Sequence, residues 1–243
     1  MQIRIENDVL ERYPEAEIGY LVARVSVKKS DPYVEGLKQG LAKSVQERGI
    51  NATNFVVHPH LAIWRTIYEE DFQVNPKTFR SSVEALLRRV VTGKEMWSIS
   101  NVVDLYNCCS ILSLMPMGGY DLNKVSRDIT IRYAKEGETF QGLGIRLPIE
   151  TNPEHIVYAD DKRLICWLWN HKDAEETCID ENTEYVIFFI DSAKKVGSVQ
   201  EALDQLVENL LKIEAVPLES GILSRAAPQA TINIPKSVTS GPL

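Results

Sequence analysis

A polar side chain and a pair of glycines stand close together in the stretch from residue 98 to residue 121, where they could form a small binding site. Helical spacing places Asn107 on a face whose other members are mostly apolar. Pro116 is expected to end this helix, and Gly118-Gly119 to form a turn that permits positive φ and a close approach of the backbone to whatever lies opposite. The alternative is a core asparagine with satisfied hydrogen bonds beside a tight turn. The pattern therefore predicts either a concave site for a small ligand or ordinary packing.

Five basic residues lie on the exposed side of a predicted helix and at its ends. They are Lys77, Arg80, Arg88, Arg89 and Lys94. Such a cluster can bind the phosphates of an RNA without reading its sequence. It is also typical of a solvated helix face, on which Glu84 and Arg88 are spaced to form an ion pair. We keep both the RNA contact and the plain surface as interpretations.

The pattern His58-Pro59-His60 is the first place to look for a metal site. Structural zinc takes about four protein ligands and catalytic zinc about three. The remaining histidines, His155 and His171, have no spacing that would complete such a set. The sequence also lacks the glycine-rich phosphate loops, the serine-hydrolase elbow and the zinc-protease motif. We therefore expect no metal and no cofactor.

The overall charge argues against a general nucleic-acid-binding surface. The 243 residues carry a formal net charge of −7, with a pI near 5.3, so RNA binding would need a local basic patch. The hydrophobic share of 44% is ordinary for a globular protein, and no run of apolar residues is long enough to span a membrane. No secretory signal is visible, and the four cysteines fit free thiols in a reducing compartment. These features predict a cytoplasmic protein.

Helices in the first half and strands in the second must position these residues. Helices are predicted after Asp31-Pro32, over 55–72, from Asn75-Pro76, from Asn101 with Asp104 as its capping partner, and from Ser198 with Glu201. Strands are predicted at 2–6 (an edge strand), 18–27, 129–133, 138–143, 156–159, 163–169 and 184–190. This order predicts an α+β fold with one domain over residues 1–216. An irregular tail, capable of forming a strand at 230–234, is expected over 217–243.

Three strings carry a family resemblance: VVDLYN from Val102, FRSSVEALLRR from Phe79 and MGGYDL from Met117. They resemble the B3/B4 domain of the phenylalanyl-tRNA synthetase β subunit, and in particular the free-standing members of that family. The resemblance covers about residues 15–195. It implies a three-layer sandwich in which mixed and antiparallel sheets pack with helices.

The resemblance also implies a site. In the synthetases this domain hydrolyses tyrosine misattached to the 3′ end of tRNA, between the corresponding helix and turn and strands of the second half. Here Asn107 and Tyr120-Asp121 match the family pattern, and Leu168-Trp169-Asn170 replaces the small residues that shape the synthetase pocket. The implied pocket is Asn107, Gly118, Gly119, Asp121, Trp169 and Asn170. The four tryptophans are otherwise predicted to lie in the core, with a pocket role as the alternative for Trp169.

Several departures from the family pattern bear on activity. Gly118 stands where a histidine contributes to editing, Tyr106 replaces a small threonine, and the editing glutamate would fall at Phe188 or Phe189. These changes argue against tyrosine editing of the synthetase kind. The resemblance implies a free-standing protein that binds tRNA and could hydrolyse a mischarged aminoacyl-tRNA. The alternative is a non-enzymatic descendant that binds a small molecule, such as an amino acid, or a protein. The sequence leaves the tRNA, the amino acid and the oligomeric state open.

Overall fold

The architecture comes from a computed structural model that describes residues 1–233. Its helices are α1 (Asn7–Arg12), α2 (Pro32–Glu47), α3 (Pro59–Thr66), α4 (Ser82–Val91), α5 (Asn101–Ser113) and α6 (Val199–Lys212). Its strands are β1 (Gln2–Ile5), β2 (Glu17–Arg24), β3 (Met117–Asp121), β4 (Ile129–Tyr133), β5 (Thr139–Phe140), β6 (Ile149–Glu150), β7 (Ile156–Ala159), β8 (Leu164–Trp167), β9 (Lys172–Asp173), β10 (Tyr185–Ser192), β11 (Val216–Ser224) and β12 (Gln229–Thr231).

The strands form two large sheets and one small one. The first large sheet has the order β12-β1-β4-β7-β8-β9, the second has the order β11-β2-β10-β3, and β5 pairs with β6. The β1–β4 pair is parallel, whereas the remaining strand pairs of the described residues are antiparallel. The expectation of mixed and antiparallel sheets is therefore confirmed.

The four-stranded sheet is buried on both faces, because alternate side chains of a strand point to opposite sides. On β2, Ile18, Tyr20 and Val22 join the core that includes Ile3, Ile131 and other residues of the six-stranded sheet. Leu21 and Ala23 join a second core that contains residues of α5 and α6. The order of layers is thus sheet, sheet and helices, as the predicted α+β sandwich requires.

The helices beyond this sheet stack outward from it. Residues of α5 and α6 pack on the four-stranded sheet, with Leu105 and Leu203 among the buried side chains. A third core joins the outer side of α5 to α2 and α4 through Ile111, Leu41 and Leu87. Helix α5 therefore has packed neighbours on two sides, which fixes the positions of the residues it contributes to a site.

Several local signals are confirmed. The side chain of Asp31 accepts a hydrogen bond from the Tyr33 backbone at the start of α2, and Ser198 does the same for Glu201 at the start of α6. The predicted helical segment 55–72 forms a 3-10 turn, α3 and a π-helical turn (Ile67–Asp71). No helix within residues 1–233 is long and apolar enough to cross a membrane.

The start predicted for α4 is wrong. Asn75-Pro76 opens a turn, in which the Asn75 side chain accepts a hydrogen bond from the Lys77 backbone. The helix begins seven positions later, at Ser82, where Ser81 caps the amide of Glu84. An Asn-Pro pair supplies turn chemistry as well as helix-start chemistry, so the sequence alone does not separate the two.

The chain from residue 217 is also more regular than predicted. Instead of an irregular tail, β11 pairs with β2 over most of its length, with a bulge between Pro217 and Glu219. Strand β12 pairs with β1, which makes β1 an interior strand and corrects its prediction as an edge. The predicted strand at 230–234 is thus found at Gln229–Thr231, and residues 234–243 lie outside the described residues.

Candidate functional site

Helix α5 is held at its start by two neighbouring polar residues. Ser100 caps the helix by accepting a hydrogen bond from the Val103 backbone. Asn101, which was predicted to be the cap, is instead fully buried and bonds to the loop after β2, accepting from the Lys28 amide and donating to the Ser26 carbonyl. Asp104 accepts a hydrogen bond from the Ile99 amide. The predicted cap is therefore one residue too late, and the helix start is tied to the four-stranded sheet.

The end of α5 differs from the predicted glycine turn. The left-handed residue is Leu114, with φ of 59°, and the chain then enters β3, where Gly118 and Gly119 pair with Phe189 and Phe188. Glycine at position 119 permits close packing: a Cβ atom there would lie 3.1 Å from Phe188 and 3.2 Å from Tyr106. The predicted glycine turn was wrong, but the expected close approach is present, because side chains pack directly against the backbone of Gly119.

A cavity of about 410 Å³ opens beside α5 and β3, and we call it the outer cavity. Its walls are mainly apolar, and its rim includes three exposed large side chains, Trp97, Ile99 and Leu143. Polar groups also line it: Ser82, Asn107, His171, Lys172, Asp173 and Cys178. An apolar cleft with a few convergent polar groups is the usual form of a small-ligand site.

Asn107 and Gly119 are the two predicted pocket residues that line the outer cavity. Asn107 is only partly buried, and no hydrogen bond joins its side chain to another described residue. The alternative of a fully satisfied core asparagine is therefore wrong. The Asn107 amide is free to donate to and accept from a ligand in the cavity.

Three further predicted pocket residues, Gly118, Trp169 and Asn170, line a smaller space of about 30 Å³ behind the outer cavity. We call this space the inner chamber. The two spaces share Ser82, Met117, His171, Lys172 and Asp173 as lining residues. A chamber of this size has room for about one or two water molecules. It is therefore a polar floor of the outer cavity rather than a second ligand site.

The inner chamber contains two carboxylates that each accept a tyrosine hydroxyl. Asp173 accepts from Tyr120 at 2.7 Å, and Asp191 accepts from Tyr158. Burial raises the pKa of Asp191 to about 7, against the lowering effect of hydrogen bonds from Tyr158 and Asn170. Burial also raises the pKa of Asp173, while the hydrogen bond from Tyr120 acts in the opposite direction.

Trp169 lines the inner chamber but not the outer cavity. It is fully buried, and it packs edge-on against Tyr13 and Trp64 with ring centroids 4.9 Å and 5.2 Å away. Leu168 and Trp169 have φ values of 52° and 62°, so the chain turns sharply after β8 and directs the indole into the core. Its Nε1 atom is buried and has no hydrogen-bond partner among the described residues.

Asp121 lies in neither space. Its carboxylate accepts hydrogen bonds from the Thr183 hydroxyl at 2.7 Å and from the Asn123 amide, and it lies 3.7 Å from the Lys124 ammonium. These contacts give Asp121 a structural role at the end of β3, where it holds the loop that follows. Its inclusion in the predicted pocket is a mismatch with the structure.

Four of the five predicted basic residues line a groove of about 310 Å³, which we call the cationic groove. They are Arg80, Arg88, Arg89 and Lys94, joined by Ala85, Thr92 and Trp97. The guanidinium carbon of Arg89 lies 4.1 Å from the centroid of a Trp97 ring. Lys77 is exposed in the turn before α4 and does not line the groove.

Part of the positive charge of the groove is balanced from within the protein. Glu84 is buried, and its Oε1 atom lies 2.7 Å from Arg65, 3.7 Å from Arg80 and 3.8 Å from Arg88. One carboxylate thus faces three guanidinium groups, and the described residues give Arg89 and Lys94 no ion pair. A positive surplus remains despite the acidic overall charge of the chain.

The cationic groove and the outer cavity are neighbours with a common wall. Ala85 and Trp97 line both spaces. Trp97 was predicted to lie in the core, but 49% of it is exposed, and its indole borders both spaces with Arg89 packed over one face of the ring. The arrangement suits a ligand that has an anionic part next to a small, partly apolar part.

The histidines and cysteines show no further reactive arrangement. The rings of His58 and His60 are 5.3 Å apart, and burial lowers the pKa of both. Within residues 1–233, no group of three or more potential ligands is placed to hold a metal ion. The four cysteines are free thiols, and burial raises the pKa of both Cys108 and Cys109 to about 12, so neither is a thiolate at neutral pH.

The sequence analysis missed two groups that the structure brings to the site. Asp173 gave no motif, because its neighbours in the chain carry no recognisable pattern and its role depends on Tyr120 from another strand. Trp97 was assigned to the core from its residue type alone. Its position between Lys94 and the polar start of α5 was the available signal that it lies in an exposed loop.

Comparison with known proteins adds a family assignment to this geometry. A family model described as the B3/4 domain matches residues 67–213. The phenylalanine–tRNA ligase β subunit of Chromobacterium violaceum is 35% identical over 79 residues, which cover 32% of this chain and 10% of that protein. The corresponding subunit of Nitrobacter winogradskyi is 35% identical over 101 residues, covering 42% and 12%.

A solved structure with a similar arrangement is an N-terminal fragment of the phenylalanyl-tRNA synthetase β subunit from Pyrococcus horikoshii. It is 10% identical and has a TM-score of 0.48, with 88% of this chain and 49% of the fragment covered. The matches to the two bacterial subunits thus span about a tenth of those proteins, and the matched family model spans more than half of this chain.

Proposed function

This chain belongs to the B3/4 domain family, and on that premise we propose that it binds the aminoacylated 3′ end of a tRNA. The phosphate backbone of the RNA lies in the cationic groove, and the aminoacyl group occupies the outer cavity. The observation that carries the proposal is the common wall: Ala85 and Trp97 border both the cationic groove and the outer cavity. The anionic end of an RNA, with a small acyl group attached to it, fits two adjoining spaces of this kind.

Each space contributes a different kind of interaction. Arg89 and Lys94 can bind phosphates without reading the sequence, and the Trp97 indole offers a surface on which a terminal base can stack. In the outer cavity, the apolar walls favour an apolar side chain, and the free amide of Asn107 can hydrogen-bond to the ester.

Hydrolysis of the ester is the reaction proposed for this site. Water would add to the acyl carbon, and the products would be the free amino acid and the free 3′ hydroxyl. Gly118 and Phe188-Phe189 supply neither a histidine nor a glutamate, so catalysis has to rely on water positioned by groups such as Asn107. The amino acid cleaved is therefore expected to differ from the tyrosine removed by the synthetases.

The proposal is tested by comparing an aminoacylated RNA minihelix with the same minihelix lacking the amino acid. Wild type is expected to bind both at low salt, the aminoacylated form more tightly, and to deacylate one or more members of a panel of mischarged RNAs. Asn107→Ala is expected to remove the extra affinity and the deacylation but to keep the binding of the bare minihelix. Asn123→Ala, at an exposed asparagine outside both spaces, is the matched control.

Failure to bind either RNA at low salt would refute the proposal. The second candidate function, binding of a small molecule without RNA, would then be favoured. Two observations support that alternative: Glu84 balances part of the groove's charge, and the chain carries a net charge of −7. It predicts that free amino acids or their esters bind the outer cavity while RNA does not.

A further inference from the structure

We propose that Asp173 binds the ammonium group of the ligand, so that the outer cavity selects acyl groups with a free α-amino group over those whose amine is blocked. The inference names a recognition residue for the proposed function and rests on it for the identity of the acyl carrier. The recognition itself can be measured without any RNA.

The lining of the outer cavity carries few charged side chains. Asp173 is the one acidic residue among the described residues that line the outer cavity. It is partly accessible, and no ion pair joins it to a described residue. A carboxylate on the floor of an apolar cavity, without a cation of its own, is a natural partner for a ligand cation.

The carboxylate of Asp173 is held in position by its neighbours in the fold. The Tyr120 hydroxyl donates a hydrogen bond to its Oδ1 atom at 2.7 Å. This hydrogen bond favours the charged form of Asp173, although burial has the larger effect and raises the pKa of the carboxyl above its ordinary value. Strand pairing of Asp173 with Cys166 fixes the backbone behind it, so the side chain does not have to be ordered when a ligand binds.

Other charged and titratable groups line the outer cavity together with Asp173. Lys172 also lines the outer cavity, but no ion pair joins it to Asp173 in the described part of the chain. The Nδ1 atom of His171 lies 2.7 Å from the carbonyl oxygen of Arg80, and burial lowers the pKa of His171, so this ring is a neutral neighbour. The ammonium group therefore has a single anionic partner in the cavity.

Much of the lining that surrounds Asp173 in the outer cavity is apolar. Val103, Leu143 and Ile179 line the same cavity, so an ammonium at Asp173 leaves the rest of the ligand against apolar walls. Asn107 is available for the carbonyl group of the same ligand. Ammonium, carbonyl and apolar side chain are the three parts of an amino acid ester, and each has a complementary group in the cavity.

The test uses the methyl esters of leucine and phenylalanine, each with a free amine or with an N-acetyl group, and measures binding by titration. Wild type is expected to prefer the free amine by about tenfold or more, as is typical of a charge-assisted hydrogen bond. Asp173→Asn, which keeps an acceptor for the Tyr120 hydroxyl, is expected to bind both forms equally. Glu175→Gln removes the same charge at an exposed position two residues away, and it should keep the preference.

The outcomes separate the inference from the proposed function. Equal binding of free and acetylated esters by wild type would overturn the inference whatever the variants do, and so would a preference that Asp173→Asn retains. In either case, salt-sensitive binding of the aminoacylated minihelix would leave the RNA function standing. Selective ester binding without any RNA binding would support the role of Asp173 and refute the RNA function.

Discussion

The hydroxyl of Tyr158 donates a hydrogen bond to the carboxylate of Asp191, and this bond connects the two large sheets. Tyr158 belongs to β7 of the six-stranded sheet and Asp191 to β10 of the four-stranded sheet. Asn170 donates a second, longer bond to Asp191 at 3.3 Å. A carboxyl group held this deeply between two sheets makes the stability of the protein depend on pH.

We predict that Asp191→Asn raises the free energy of unfolding more at pH 8 than at pH 5. Burial raises the pKa of Asp191 from 3.8 in the unfolded chain to about 7 in the folded protein. Between these values the folded state holds a proton that the unfolded state has lost, so wild type loses stability as the pH rises through this window. The full effect is on the order of a few kcal/mol. Denaturant unfolding of both proteins at the two pH values measures it.

The four histidines also make the stability of the protein depend on pH, so the effect of Asp191 is measured as the difference between variant and wild type. Burial lowers the pKa of His58, His60, His155 and His171, so the unfolded state binds more protons there below the ordinary histidine pKa, and stability rises with pH. This dependence has the opposite sign and is common to both proteins. An identical pH dependence in wild type and Asp191→Asn would contradict the assignment.

Arg89→Ala is expected to weaken RNA binding and to reduce the slope of log affinity against log salt concentration by about 1. Arg89 lines the cationic groove beside Trp97. Its guanidinium donates hydrogen bonds to the Glu95 carbonyl oxygen but forms no ion pair with a described residue, so no carboxylate neutralises its charge. Fluorescence titrations of a minihelix at several salt concentrations give the slope. Arg225→Ala removes the same charge from an exposed loop outside the groove, and an equal loss in that variant would argue against a specific surface.

Gly119→Ala is expected to lower stability by roughly 1–3 kcal/mol, because a Cβ atom would crowd Phe188, Ile179 and Tyr106 at 3.1–3.2 Å. The same substitution at Gly40, inside α2, meets no atom within 4 Å and should raise stability by about 0.5–1 kcal/mol through helix propensity. Thermal unfolding of the two variants measures both changes. If Gly119→Ala were as stable as wild type, the close packing between β3 and α5 would be wrong.

Ser100→Ala is expected to cost about 1 kcal/mol through loss of the cap on α5. Asn101→Ala should cost about 2 kcal/mol or more, because it leaves the Lys28 amide and the Ser26 carbonyl without their partner. Chemical denaturation gives both values, with Gln39→Ala at an exposed position of α2 as the control that changes stability little. A loss of stability in Asn101→Ala together with none in Ser100→Ala would restore Asn101 as the cap.

The regular elements could be predicted because their signals are local. The apolar stripe of α4, the caps of α2 and α6 and the β-branched runs of β2 and β10 all depend on residues close together in the chain. The family assignment had the same origin, since it came from short strings around Asn107 and Met117. Both the fold class and the family are confirmed.

The elements that failed depend on distant partners. Strand β11 contains Pro217 and Gly221 and shows no clear alternation, and it becomes a strand because β2 offers an edge along its whole length. The predicted pocket likewise joined residues that the chain separates: Asn107 and Gly119 face the outer cavity, whereas the αL conformations of Leu168 and Trp169 turn the indole away from it. Register and backbone handedness at such places follow from tertiary packing.

The shared Trp97 wall has a thermodynamic consequence for the whole site. A ligand that binds in the cationic groove and shifts this indole also changes the shape of the entrance to the neighbouring apolar compartment, the outer cavity. By thermodynamic linkage, if binding in the groove changes the affinity of the apolar compartment by some factor, binding in that compartment changes the affinity of the groove by the same factor. Cooperative binding of the polymer end and of its acyl group would then depend on a single side chain, which lies in neither a helix nor a sheet.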